Sequence, residues 1–507
     1  MKKIPTIFTL SAIALMMATG CQKWLEATSS SQISGEQLFS SRTGFHEALS
    51  GIYIDMGSQN CYGGSYTWLV NELAAGPYMS QNAKRFSDIM NNTYTTSVVY
   101  PGIESMWEGG YNVIANINKA LLELENHRDV VPDNREYSLI RGELLGLRAY
   151  MHFDMLRMWG LERWDGENAS KVTIPYVTVY QKEPTEQRSY AETARLLMAD
   201  VDEAIALLAD DPVRGSLGDD FQNAINADGF WDRRTFHLNY YAVLALKARI
   251  LQWENDLDAA AEIAQSIIDE VLEKEVVTWI DPIAQLNIES NDNRDWTFSS
   301  EHLFTLQVAD LYNSVTPYYF VTVNNGNGMF LSSDVVGELF QYELCSGVSM
   351  LGDIRGPAMS MLYYSSGYQY YKFFASRSSL YRNRMPMIKL SELYFIIAEK
   401  ALRDEDYETV LSTIDIIHSH RGVDDEMPID FPYMSSQENR CWSLFWEETV
   451  REFLGEGQIF YTEKRLGGEL STRYRFSNAY ELYLTHYGKL IYPYPTTEIT
   501  YGHIQEL

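Results

Sequence analysis

Basic residues and cysteine are both scarce in this chain. Its 40 Lys and Arg stand against 69 Asp and Glu, a formal net charge of −29. No Lys/Arg-rich run offsets that balance, so nucleic acid and anionic lipid headgroups are excluded as partners. The four cysteines are Cys21, Cys61, Cys345 and Cys441. Three of them lie beyond the leader junction described below, an odd number that permits at most one disulfide and implies neither a zinc site nor a disulfide framework. No HExxH, GxSxG, Walker loop or paired CxxC occurs, so no metal, cofactor or nucleophile is expected. Aromatics, by contrast, are plentiful: 35 Tyr, 11 Trp and 21 Phe make up 13% of the 507 residues. That is more flat apolar surface than a helical core consumes.

The first twenty residues do not read as part of a fold. Lys2 and Lys3 precede an apolar run from Ile4 to Met17 with a proline inside it, too short for a membrane span. Ala18, Thr19 and Gly20 are small residues ahead of Cys21, as in a secretory leader. Ending at a cysteine, the segment resembles a bacterial lipoprotein box, with Ala18 where Leu is more usual. Residues 1–20 are thus expected to be a lipoprotein signal peptide, Cys21 the lipidation site, and 21–35 a polar tether. Removing Lys2 and Lys3 takes the charge from −29 to −31. Acyl chains on Cys21 would bury dozens of methylenes at about 0.8 kcal/mol each, enough for permanent anchoring.

Helical periodicity organises the remainder. From Pro386 to Gly422 two amphipathic helices follow each other without a gap. Leu390, Leu393, Tyr394, Ile397, Ala398 and Ala401 form one stripe, and Tyr407, Val410, Leu411, Ile414 and Ile417 the next. Asp404, Glu405 and Asp406 suit a helix start; His418, His420, Arg421 and Gly422 suit a helix end. His418 and His420 are two apart and point to different sides, which argues against a shared metal. The same layout occurs at Tyr241, Leu244, Ala245, Ala248 and Leu251, followed after Trp253-Glu254-Asn255-Asp256 by Leu257, Ala260, Ala261, Ala264 and Ile267. Such hairpins keep apolar surface that only stacking on further hairpins covers. The expected fold is mainly α: tetratricopeptide-like hairpins in a right-handed superhelical array, decorated with long aromatic loops and a little β-hairpin. A short strand is read at Tyr318 to Val323, turning at Asn324-Asn325-Gly326. Glu447, Glu448, Glu452 and Glu456 offer carboxylates on adjacent turns, but one helix with Arg451 beside them reads as an internal ion-pair network rather than a glycosidic acid/base pair.

Several segments resemble the SusD/RagB family of outer-membrane nutrient-binding lipoproteins. They are Trp24-Leu25-Glu26 with Phe39, Phe45, Ala48-Leu49 and Gly51-Ile52-Tyr53; the helix bearing Trp107, Tyr111 and Asn118; and Gly142-Glu143 with Leu147-Arg148-Ala149-Tyr150. Asp353-Ile354-Arg355, Leu390-Ser391-Glu392-Leu393-Tyr394 with Ala398-Glu399, and Arg451-Glu452-Phe453 with Glu456-Gly457-Gln458 continue it, as does Pro493-Tyr494-Pro495. Lys389 replaces a more common Arg, and Tyr461 to Arg465 departs from the family's usual Phe-Asp-Leu-x-Arg. The resemblance implies a single SusD-like domain over 21–507, exposed on the cell surface at the outer membrane. It implies a non-enzymatic lipoprotein that captures oligo- or polysaccharide for a SusC-like TonB-dependent transporter. A peptide-capturing lipoprotein, a surface glycoside hydrolase and a purely structural partner of the transporter are the alternatives. Candidate ligand-binding residues are Tyr66, Trp68 and Tyr78 on the first long loop and Trp279, Trp296 and Tyr312 on later ones. Trp296 leads, because the polar run from Asn291 to Asp295 before it reads as surface.

Overall fold

The computed structural model describes residues 35–80, 84–161, 166, 168–215, 217–319, 328–340, 348–364, 367–423, 428, 436–473, 488–502 and 504–505. The leader, Cys21, most of the tether, the turn at 324–326 and Cys345 lie outside the described residues. The helices that carry the fold are α1 (Arg42–Met56), α2 (Val70–Ala75), α3 (Tyr100–Asn126), α4 (Asn134–Trp159), α5 (Tyr190–Leu207), α6 (Tyr240–Trp253) and α7 (Leu257–Glu273). After them come α8 (Leu311–Tyr319), α9 (Leu390–Arg403), α10 (Tyr407–Ser419), α11 (Gln437–Phe453) and α12 (Gln458–Arg473). Short strands are β1 (Tyr78–Ser80), β2 (Val172–Pro175), β3 (Gln187–Ser189), β4 (His302–Gln307), β5 (Met329–Leu331), β6 (Met361–Tyr364), β7 (Gly367–Tyr370) and β8 (Arg384–Lys389).

The expected helical array is present. From α3 to α7, and again from α9 to α12, each helix packs on its successor; α7 packs on α9, and α12 returns to pack on α2. Both sequence-read hairpins form, and they share one turn. Asn255 and Glu405 adopt φ of 65° and 59°, and in each turn the next residue's N–H bonds back five positions, Asp256 to Leu251 and Asp406 to Ala401. The aspartates then cap the second helices, accepting from Ala259 N and Thr409 N, each cap contributing about 1 kcal/mol. Within the first hairpin Ala248, Ala260 and Ala264 are fully buried, so small side chains bring the axes of α6 and α7 close. The helix α4 departs from amphipathicity: every residue from Gly142 to its end is buried, including Glu143, His152 and Asp154, because it is covered by α3 and α5 together.

The carboxylates of α11 form the internal network the sequence suggested. Glu452 accepts from Arg421 at 2.9 Å, Lys389 at 3.0 Å, Ser391 at 2.8 Å and Arg355 at 3.2 Å. Glu448 takes His418 at 2.6 Å and Arg355 at 3.0 Å, while Glu456 takes Lys389 at 2.8 Å. Burial pushes Glu448 upward, but His418, Arg355 and Arg451 outweigh it and hold the group well below the usual carboxylate range. Asp353 and Arg355 pair at 2.6 Å within the same cluster, which joins α11 to the α9–α10 hairpin. His418 therefore serves this network, whereas His420 lies parallel to the Trp279 ring.

Two irregular features were missed. A β4–β8 antiparallel pair leads directly into α9, so Pro386 to Lys389, read in the sequence as the start of the helical hairpin, are strand. The strand read at Tyr318 to Val323 is not formed in its described part: Tyr318 and Tyr319 end α8, and 320–323 lie outside the described residues. Tertiary burial overrides β propensity there, since Tyr319 is drawn inside against Trp68 and Tyr78. The sheet that does form is antiparallel, in the order β1-β5-β7-β6.

Candidate functional site

The structure distributes the six candidate aromatics unevenly. Tyr66, Trp68 and Tyr78 are 1%, 0% and 1% exposed, and Trp296 is 3% exposed, so none of these four presents a ring face to solvent. Each has an internal partner instead. Tyr66 donates to Met106 O at 2.7 Å, Trp68 Nε1 to Gly63 O at 3.0 Å and Trp296 Nε1 to Asn291 O at 3.1 Å. Tyr78 meets Tyr319 edge-on. Large aromatics that satisfy their polar atom internally are core residues. The polar run ahead of Trp296 misled for a local reason: Asp295 is itself buried and accepts from both the N–H and the hydroxyl of Ser299 at 2.7 Å. His302 holds Thr297 from the other side through its carbonyl, and burial lowers that imidazole to about 3, which keeps it neutral. Trp279 is half-buried but committed to the second hairpin, stacking on His420 at 4.6 Å and 5° and touching Tyr394.

Tyr312 is the candidate that remains at a surface, and it does not stand alone. The segment from Tyr371 to Arg384 folds over Trp296 and brings Tyr371, Phe374 and Tyr381, all half-buried, beside it. Phe374 lies 5.6 Å from Tyr312 and 4.8 Å from Tyr371, while Trp296 backs both Tyr371 and Phe374 at about 6 Å. Beneath the rings the cavity open to water measures only about 10 Å³, too little for anything beyond a single water. A ligand must therefore lie on this face rather than enter it. The segment is pinned: Lys372, 3% exposed, donates to Glu452 O and Leu454 O and pairs with Glu456 at 2.5 Å. Leu311 N also donates to Asn383 Oδ1, fixing the start of α8 to the end of the strap. The strap continues β7, whose Tyr368 faces the exposed Tyr363 of β6 at 5.3 Å, so aromatic surface extends along the hairpin.

Hydrogen-bonding groups rim these rings. Ser376 and Ser378 donate to Asp292, and Arg377 pairs with Asp310 at 3.3 Å. The Arg384 guanidinium lies 5.0 Å from the Tyr381 ring and 5.7 Å from that of Phe236. Phe236 in turn lines an open cleft of about 670 Å³ with Leu217, Phe221, Trp231, Arg233 and Thr235, so Arg384 stands between the aromatic patch and that cleft. The sequence led us to expect long aromatic loops, but none of the rings of this strap was among the candidates. The usable signal was aromatic density, five rings between Tyr368 and Phe374 and another at Tyr381.

Among the described residues no helix is long and apolar enough to cross a membrane and no His/Cys/Asp/Glu group is arranged to hold a metal ion. Cys61 and Cys441 are buried free thiols. Burial pushes each up to about 12, which makes them inert.

Residues 23–217 match the model of a SusD-like family described as starch-binding and associating with the outer membrane. No curated protein matches the chain. Solved structures do. A SusD superfamily protein from Bacteroides thetaiotaomicron superposes with a TM-score of 0.66 at 19% identity, over 92% of this chain and 99% of the other. A putative sugar binding protein from Bacteroides vulgatus gives 0.64 at 17%, over 91% and 96%. A SusD-like carbohydrate binding protein from the same species gives 0.61 at 15%, over 84% and 83%. At such identities the likeness is one of fold, and the match to the SusD-like family is carried by residues 23–217.

Proposed function

We propose that this protein is a cell-surface lipoprotein, anchored through Cys21, whose single domain over 21–507 captures oligo- or polysaccharide and passes it to a SusC-like TonB-dependent transporter. The observation that carries the reading is the half-buried aromatic face of Tyr312, Tyr371, Phe374 and Tyr381, held on a rigid backing by Trp296 and Lys372. Sugar rings present apolar C–H faces that stack on such aromatics and hydroxyls that need the surrounding donors and acceptors. The family description, with its starch-binding and outer-membrane association, supports the same conclusion, as does the sugar-binding label on a structure of the same fold. A binding rather than hydrolytic role fits the carboxylates of α11, which are buried and paired with cations instead of flanking the aromatic face.

Affinity electrophoresis of residues 22–507 through a panel of polysaccharides, with peptides in parallel titrations, tests this. Retardation by one or more polysaccharides, weakened in Tyr381→Ala and Phe374→Ala by about 0.5–1.5 kcal/mol for each lost ring contact, is the expected result. Retardation unaffected by both substitutions would move the platform elsewhere; peptide binding without any glycan binding would favour the peptide-capturing alternative.

A further inference from the structure

We propose that the glycan taken by this face is anionic, bearing carboxylate or sulfate groups read by an arginine rim around Tyr381. The inference rests on the aromatic patch being the glycan face. Its starting point is a departure from the charge of the chain. The protein carries −29 overall, yet residues 354–391 contain no Asp or Glu and six Lys or Arg. Arg355, Lys372 and Lys389 of these are interior partners of Asp353, Glu452 and Glu456. The other three, Arg377, Arg382 and Arg384, bracket Tyr381 at the surface. Arg294 adds a fourth guanidinium, 5.6 Å from the Trp296 ring that backs the patch.

Among the described residues the acids facing this rim are few. Asp310 pairs with Arg377, and Asp292 accepts from Ser376 and Ser378; Asp295 is sealed beneath, on Ser299. Arg294, Arg382 and Arg384 hydrogen-bond carbonyl and hydroxyl oxygens: Arg294 to Ile288 O, Arg382 to Arg377 O, and Arg384 to Leu380 O and the Ser299 hydroxyl. Those contacts orient the guanidiniums, and among the described residues none of the three forms a direct ion pair with a carboxylate, the Arg384 charge being felt by the buried Asp295 through the Ser299 hydroxyl. A planar guanidinium matches a carboxylate or sulfate with two parallel hydrogen bonds. Solubility does not call for cations here, since the rest of the surface achieves it with acids. An anionic polymer approaching so acidic a protein is repelled except where the field is locally reversed, and this rim, reaching through Arg384 toward the 670 Å³ cleft, is such a place.

Matched pairs of polymers separate charge from shape. Residues 22–507 are titrated with polygalacturonate and its fully methyl-esterified form, and with dextran sulfate and dextran, at about 20 mM and about 500 mM salt, which differ several-fold in screening length. The charged member of one pair is expected to bind about tenfold or more tightly than its neutral parent at low salt and to lose most of that advantage at high salt. The pair that responds tells uronate from sulfate. The double variant Arg377→Gln, Arg382→Gln should lose about fivefold or more on the charged polymer alone; both side chains are exposed, so its unfolding temperature should match the parent's. Equal affinity for charged and neutral members would overturn the anionic preference while leaving the glycan face standing. A preference that survives the double substitution would overturn the assignment to this rim. If no member of either pair binds while the wider polysaccharide panel does, the anionic preference is overturned and the glycan face stands.

Discussion

Glu72 offers a test of how the two ends of the helical array are joined. Its carboxyl is fully buried on α2 and accepts the N–H groups of Gly455 at 2.7 Å and Gly457 at 2.9 Å, two residues with φ of 83° and 74° that turn the chain from α11 into α12. Burial outweighs those hydrogen bonds and the attraction of Lys372, and the group rises from 4.5 to about 7. Below the unfolded value both states hold the proton and the group is neutral to stability. As pH climbs through the folded value, the unfolded chain ionises first, and the native state falls behind by about 3 kcal/mol at 1.36 kcal/mol per pH unit. Glu72→Gln removes the titration but keeps only one carbonyl oxygen for two donors, a pH-independent cost of about 1–3 kcal/mol. The variant should therefore be less stable than the parent at about pH 5, and the gap should narrow by about 2–3 kcal/mol toward pH 8, closing or reversing. Paired denaturant titrations of residues 22–507 at several pH values read this directly, since every other titrating group cancels in the difference. A gap constant with pH would show that Glu72 titrates normally. A gap that widens with pH would show that the two N–H donors win over burial and hold it ionised.

The remaining predictions follow from packing and anchoring. Trp296→Ala should lower stability by about 3–5 kcal/mol through the cavity it leaves, seen as earlier thermal unfolding; a variant that unfolds normally but loses glycan affinity would put the ring on the surface after all. Ala248→Trp should overpack the α6–α7 hairpin at a cost of about 1–3 kcal/mol or more, and an unchanged melting temperature would mean that Ala248 does not face its partner helix. Cys21→Ala should release the protein from membranes, and retention in the membrane fraction after alkaline washing would defeat the lipid anchor.

How much of this molecule was legible beforehand depends on how local each signal is. Helix periodicity, the acidic helix start at Asp404 to Asp406 and the alanines of the α6–α7 hairpin were readable, because each is fixed by residues near one another in the chain. Arg451 beside Glu448 signalled an ion-pair network, but the cations that Glu452 pairs with, Arg421, Lys389 and Arg355, come from distant segments. The family's sequence pattern added the fold at large. What the sequence alone did not determine was which aromatics are outside. Trp296 and Tyr78 carry the same composition signal as Tyr371 and Tyr381, and their burial is decided by partners far along the chain: Tyr319 closing over Tyr78, the 371–384 strap folding over Trp296. Likewise the polarity of Asn291 to Asp295 suggested solvent, whereas Asp295 turned inward once Ser299 and Gln285 came within reach of it. An aromatic ring is stable in a core or half-exposed on a surface, so its local sequence leaves the choice open, and only the packing of distant segments onto it settles whether it supports the fold or meets a ligand.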